Sequence, residues 1–186
     1  MTLLPFCEWL ASTKWSIALH ESLYMYPVVE TLHVLSLLLF VGTVAFVDLR
    51  LLGWVFREIS VSRVTARLIP WTIAGFVIAA ATGALLFYAI PVRTYLSIFF
   101  RIKVIMLIVA GVNTALFHRR MNQGAVEWDR DPTPPLRTRV TGAVSLVSWA
   151  TVIVTGRMIA YNWFDCDKPQ SDFVNWAAGC VLEIGP

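Results

Sequence analysis

Residues 27–47, PVVETLHVLSLLLFVGTVAFV, form an apolar stretch in which Glu30 and His33 are the only titratable residues. A helix rises about 1.5 Å per residue, so a stretch of this length crosses the roughly 30 Å hydrocarbon core of a bilayer. The stretch Pro27–Val47 therefore predicts a membrane-spanning helix.

Three further apolar stretches of similar length follow along the 186 residues: Leu68–Ile90, Tyr95–Phe117 and Val140–Trp163. Hydrophobic residues make up 58% of the chain and charged residues only 15%, which is more apolar surface than one soluble core of this size could bury. The ten-residue alternation typical of barrel strands is missing. The sequence thus predicts an all-α, polytopic membrane protein, with a four-transmembrane-helix bundle in residues 1–163 that contacts the lipid bilayer.

Arginines are concentrated in the connections after the first and third stretches, as Arg50, Arg57, Arg63 and Arg67 and then Arg119, Arg120, Arg130, Arg137 and Arg139. The positive-inside rule places both connections in the cytoplasm. Both termini are then predicted to face the periplasm, across a bacterial inner (plasma) membrane. Because the net charge of +3 reflects this orientation signal, we do not expect a nucleic acid as a partner.

The two ends of the chain carry polar segments outside the four stretches. Pro5–Leu23 mixes aromatic and charged residues, which predicts an N-terminal amphipathic helix lying in the membrane interface. Residues 164–186 form a predicted periplasmic tail that contains Cys166 and Cys180. An oxidising compartment favours a disulfide between them, and two unpaired thiols are the alternative.

Titratable residues inside the spans are the candidate functional residues, because charge at membrane depth is costly. Glu30 and His33 share a face of the first span, while Arg101 and Arg157 lie near the same end of the third and fourth. All four are predicted to lie within roughly 10 Å of the outer surface, where they could form one cluster. In a structural interpretation, Glu30 pairs with Arg157 or Arg101 and only fixes helix packing.

The functional interpretation is a b-type haem or, alternatively, a quinone bound by this cluster. A neutral His33 is a suitable axial ligand of haem iron, with Glu30 orienting it, and Arg101 and Arg157 would bind the propionates. Met158 at similar depth, or His20 from the interfacial helix, is the candidate second ligand.

A second polar group is expected at the cytoplasmic end, where Asp48, Arg50, His118 and Arg119 occur. We predict a structural pair between Asp48 and an arginine there. Lys103 faces away from Arg101 on the third span and is expected to extend toward the interface.

Several motifs in the chain are similar to those of one protein family: E-x-x-H at 30–33, DLRLLG at 48–53, FRIK at 100–103, His118 and GRMIAY at 156–161. Through them, residues 9–163 resemble a bacterial family of small four-helix inner-membrane proteins of unknown function. The resemblance implies the fold and marks these positions, but implies no activity. Similar chains end near Phe164, so the added tail is where we expect a partner protein to bind.

These observations lead to three functional hypotheses. The first is a membrane redox subunit that binds haem or quinone near the outer face and passes electrons between a periplasmic partner and the quinone pool. The second is a small proton-coupled transporter in which Glu30 and His33 titrate. The third is a structural anchor or accessory subunit of a membrane complex. A catalytic role of its own is left open.

Overall fold

The structure, a computed structural model, describes residues 3–121, 127–161, 166 and 169–180. Four long helices dominate: α3 (Met25–Leu51), α4 (Val61–Ala89), α6 (Ile98–Met121) and α7 (Leu136–Met158). Each is long and apolar enough to cross a membrane. Within the described ranges no strand occurs. The predicted all-α bundle of four transmembrane helices is therefore confirmed.

The helix boundaries differ from the apolar stretches by up to seven residues. Helix α4 begins at Val61 rather than Leu68. Its first two turns carry the exposed Arg63 and Arg67, so they are helical without being apolar. The third span begins at Ile98, after a separate short helix, α5 (Pro91–Tyr95). Helix α7 ends at Met158, and residues 162–165, which include the predicted end of the span at Trp163, lie outside the described residues.

The N-terminal segment forms two short helices instead of the predicted single interfacial helix over residues 5–23. Helix α1 is Leu4–Ala11 and helix α2 is Lys14–His20. The chain breaks at Thr13, whose extended backbone and side-chain oxygen, 3.3 Å from the amide nitrogen of Ser16, cap the start of α2. Cys7 of α1 is buried, and this burial, helped by the charge of Glu8, raises the pKa of its thiol.

The four long helices pack side by side. Helix α3 packs on α4 and α7, and α6 packs on α7, whereas α4 and α6 make little contact with each other. The closest approach of α3 and α4 is at Gly75, where an added Cβ would lie 2.8 Å from the backbone nitrogen of Phe40. The small-residue spacing of Gly75, Ala79 and Gly83 in α4 therefore serves close helix packing at Gly75.

The two ends of the bundle differ in what covers them. At one end, called the terminal end here, α1 meets α5 through the Leu3 amide and Tyr95 hydroxyl, 3.2 Å apart, and α2 meets α4 where Ser16 donates to the Tyr88 carbonyl. The opposite end, called the arginine-rich end, carries the connection 52–60 and the described residues 127–135 of the connection between α6 and α7. Arg50 joins these two connections.

Arg50 has no exposed surface and donates from Nε to the Ile59 carbonyl at 2.8 Å and from Nη2 to the Asp131 carbonyl at 2.9 Å. We expect Arg50→Met to lower the free energy of unfolding by about 2–4 kcal/mol, because it leaves both carbonyls without this charged donor. Detergent-solubilised protein would show the loss as a lower melting temperature and faster proteolysis within 52–60. Arg63→Met at an exposed position is the control, and equal effects of the two changes would contradict this role for Arg50.

The tail is fastened to the terminal end. Cys166 and Cys180 form the predicted disulfide, and helix α8 (Asp172–Ala178) lies within the loop that it closes. A loop of this length is stabilised by about 3 kcal/mol in the chain-entropy account. Arg101 of α6 also donates from Nη2 to the carbonyl of Ala178 at 2.6 Å.

We expect the double variant Cys166→Ser, Cys180→Ser to release α8 while leaving the four long helices intact. The rate of hydrogen exchange of the α8 amides should rise by about a hundredfold, because the stabilisation of about 3 kcal/mol from closing the loop is lost. Exchange in α3 and α4 should not change. Unchanged protection of α8 would show that the Arg101 contact alone holds the tail.

Candidate functional site

His33 of α3 is half-buried and points at α4, where its Nδ1 lies 2.9 Å from the Thr82 hydroxyl oxygen. That hydroxyl has a single proton, which it donates to the Ile78 carbonyl one turn back, at 2.7 Å. In this arrangement Thr82 accepts from His33, so that the imidazole proton is on Nδ1 and a lone pair is on Nε2. Thr82 thus fixes both the ring orientation and the tautomer.

Two glycines adjoin the polar side chains of this region. A Cβ at Gly83 would lie 3.1 Å from Cε1 of His33, and a Cβ at Gly156 of α7 would lie 3.2 Å from Nζ of Lys103. The Lys103 ammonium also acts electrostatically on the His33 ring. His33, Thr82, Gly83, Lys103 and Gly156 are called the His33–Lys103 site below.

Lys103 packs against α7, where its Nζ lies beside Gly156, two residues before that helix ends. Within the described part of the chain, no hydrogen bond or ion pair to its ammonium is found. A positive charge without an acidic partner, beside a fixed imidazole, suits an oxygen-bearing ligand that is or becomes negative.

The two arginines predicted for the cluster lie elsewhere. Arg101 is held by the Ala178 carbonyl and lies over the Tyr95 ring, 5.6 Å from its centroid. Arg157 is exposed and lies over the ring of Tyr161 at the same distance. No ion pair joins either arginine to Glu30 among the residues that the structure covers, so the ion-pair interpretation of the cluster gains no support.

None of the described contacts of the His33 ring involves Glu30, His20 or Met158. Glu30, one turn from His33, acts electrostatically on Tyr26. His20 is exposed and stacks edge-on against Tyr26, with 6.2 Å between ring centroids, about two helical turns from His33. Met158 is half-buried as the last residue of α7, and none of the described contacts of His33 involves it.

Asp48 occupies a second polar region, near the arginine-rich end. The predicted Asp48–arginine pair is wrong, because Arg50 turns outward to the carbonyls of Ile59 and Asp131. The Asp48 carboxyl is 4% exposed and lines a cavity of about 90 Å³, with Ser145 as its hydrogen-bonding neighbour.

Sequence reasoning missed the residues that give both regions their geometry. Thr82, Gly83 and Gly156 have no charge, so a search for titratable groups passes over them. The sequence does contain one indication of such residues. A glycine, serine or threonine on one span, at the same depth as a titratable residue on another span, is a candidate neighbour of that residue. Asn113 and Ser145 beside Asp48 are a second case of the same pattern.

In the described ranges no group of three or more His, Cys, Asp or Glu could hold a metal ion. No curated protein and no solved structure matches the chain. Residues 16–162, which include α3, α4, α6 and α7, match a family model described as a family of unknown function (DUF6644). Because this match spans most of the chain, the protein belongs to that family, and α8 lies beyond the matched segment.

Proposed function

We propose that this protein is a membrane redox subunit that binds a quinone at the His33–Lys103 site and passes electrons between a periplasmic partner and the quinone pool. In this proposal it lies in a bacterial inner membrane with both termini in the periplasm, as the arginine distribution favours. The observation that carries the proposal is the 2.9 Å contact of His33 Nδ1 with Thr82, which directs Nε2 away from that hydroxyl. Lys103, which has no hydrogen bond or ion pair among the described residues, acts electrostatically on the same ring.

This pair of groups suits the chemistry of a quinol. Oxidation of a quinol to a quinone releases two electrons and two protons, and the electrons leave to the partner's acceptor. Nε2 of His33 accepts a proton from one quinol hydroxyl, the Lys103 ammonium stabilises the oxyanion that forms, and the second proton leaves to water. In the reverse reaction His33 returns its proton to a quinone oxygen, the second proton comes from water, and the Lys103 ammonium again stabilises the negative oxygen.

Access for a lipid-soluble ligand is consistent with the helix packing. Thr82 lies on α4 and Lys103 on α6, two helices that make little contact with each other. Phe87 and Phe100 stack across this gap at 5.4 Å, closer to the terminal end than the site. A quinone ring could enter from the bilayer beside that stack, while its isoprenoid tail remains in lipid.

A b-type haem is the second candidate ligand of the same lone pair. Nε2 of His33 fits the role of an axial ligand, since a histidine that binds a metal usually donates its other ring N–H to a fixed acceptor, a role that the Thr82 oxygen can take here. The residues predicted as the second ligand, Met158 and His20, do not contact it among the described residues. For that reason the quinone is the preferred ligand.

The experiment is equilibrium binding of a short-chain quinone to the protein in lipid nanodiscs, followed by quenching of tryptophan fluorescence. We expect saturable binding that falls at least tenfold in His33→Gln and in Lys103→Met, and that is unchanged in the exposed control His20→Gln. Binding that survives both site changes would refute the site. A Soret band that disappears in His33→Gln would instead assign the lone pair to haem.

The electron-transfer partner is proposed to dock at the terminal end. Helix α8, held by the disulfide and by Arg101, presents Phe173 and Trp176 at 68% and 77% exposure. Exposed aromatic residues on a polar tail are typical of an interface with membrane or protein. Their depth and place suit a subunit that lies over the outer surface of the bundle.

A further inference from the structure

Asp48 presents an unusual electrostatic situation within the bundle. Its carboxyl is almost fully buried, its Oδ2 has no hydrogen-bond partner, and it lines the cavity near the arginine-rich end. An ionised carboxylate in a low-dielectric interior requires a compensating positive charge nearby. The question is which group supplies it.

Protein side chains do not supply this charge among the residues that the structure describes. No lysine or arginine is among the lining residues of the cavity. Arg50 donates from Nε and Nη2 to the carbonyls of Ile59 and Asp131, and its Nη1 makes no hydrogen bond to Asp48 or to any other described residue. His118 is the other titratable residue of the lining. Its ring packs on Phe117, and no ion pair links it to Asp48 in the described part of the chain.

Several other polar atoms of the lining offer oxygen lone pairs. Thr141 donates its hydroxyl proton to the Arg137 carbonyl at 3.1 Å, and Asn113 donates from Nδ2 to the Thr141 carbonyl at 3.0 Å, which leaves its Oδ1 available. Thr65 Oγ1 is buried without any partner. A cavity that offers oxygen lone pairs from several helices fits a hard cation.

We propose that the cavity between α3, α4, α6 and α7 binds one alkali-metal cation, with Asp48 as its charged ligand and Thr65, Asn113 and Ser145 as neutral oxygen ligands. One carboxylate balances one positive charge, which favours a monovalent over a divalent ion. The volume of about 90 Å³ accommodates such an ion with a few water molecules and is too small for a larger organic cation. This site is independent of the His33–Lys103 site.

The test is direct binding of radioactive sodium to the full-length protein in nanodiscs, at constant ionic strength with choline replacing sodium. We expect saturable binding of one ion per chain, abolished in Asp48→Asn and weakened about tenfold in Thr65→Val, which removes one oxygen at nearly constant volume. Glu58→Gln, an exposed acid at the same end, should bind like wild type. Unlabelled sodium should compete and choline should not.

Several results would overturn the proposal. One is the absence of saturable binding by folded wild-type protein, and another is binding retained by Asp48→Asn. If Asp48→Asn does not fold, Thr65→Val and Ser145→Ala decide the question, and wild-type affinity in both would exclude the site. An infrared carbonyl band of protonated Asp48 that is unaffected by saturating sodium would show that a proton compensates the charge instead.

Discussion

Gly75→Val is expected to lower the free energy of unfolding by about 3 kcal/mol, because the new side chain overpacks the contact between α3 and α4. Even the first carbon of the new side chain would lie 2.8 Å from the Phe40 backbone nitrogen and 3.0 Å from its Cα. Backbone atoms cannot rotate away as a side-chain tip can, so α3 and α4 must separate. The measurement is thermal unfolding in detergent, read by the helical circular dichroism signal.

Gly111→Val in α6 is the matched control, since it makes the same change where nothing lies within 4 Å of an added Cβ. It should change the free energy of unfolding by less than about 1 kcal/mol, because valine has a slightly better helix propensity than glycine. If the two variants melt alike, the close contact between α3 and α4 is not what stabilises the bundle. Gly75→Ala should fall between the two, because it adds the clashing carbon and no more.

The difference between these glycines also shows what the sequence could reveal about the fold. Four apolar stretches were enough to identify four helices, because the length of a spanning helix is set by bilayer thickness and not by neighbours. The helix ends were less accessible: α4 continues through Arg63 and Arg67, whose side chains point into solvent while the backbone remains helical. Hydropathy measures side chains and therefore misses such polar turns.

The candidate sites were harder to predict, since they depend on which faces of the helices meet. The depth of a residue along a helix follows from its residue number. It therefore predicted that His33 lies near the same end of the bundle as Arg101 and Arg157. Rotation does not follow from residue number. Arg101 lies at a plausible depth but turns toward Ala178 on α8, and Lys103, two residues on, points at α7 instead.

The rotation of each helix, which residue number does not give, also explains why the predicted pair between Asp48 and an arginine is not found among the described residues. Asp48 and Arg50 are two residues apart, so on a helix they face in different directions. Opposite charge in the sequence suggested a partner, whereas the structure directs Arg50 to two loop carbonyls. Neighbours such as Ser145 come from α7 and cannot be inferred without the helix packing.

If the proposed quinol oxidation takes place at the His33–Lys103 site, Thr82→Val is expected to reduce its rate by about tenfold to a hundredfold, with little change in folding. Valine has nearly the shape of threonine but cannot accept the bond from Nδ1–H of His33, which lies 2.9 Å from the Thr82 oxygen. A half-buried imidazole without this acceptor loses both its fixed tautomer and its orientation, and one such bond is equivalent to about 1–3 kcal/mol. The rate is measured with a soluble electron acceptor in nanodiscs.

Thr82→Ser separates this explanation from a packing effect, because serine keeps the hydroxyl and removes only a methyl group. If the tautomer is what matters, Thr82→Ser retains most of the rate while Thr82→Val loses it, although both melt near wild type. The pH dependence of the rate gives a second readout, since a packing defect would lower the rate equally at every pH. A freely exchanging imidazole in Thr82→Val would also change the pH at which the rate rises, and equal rates in both variants would exclude Thr82 as the residue that positions His33.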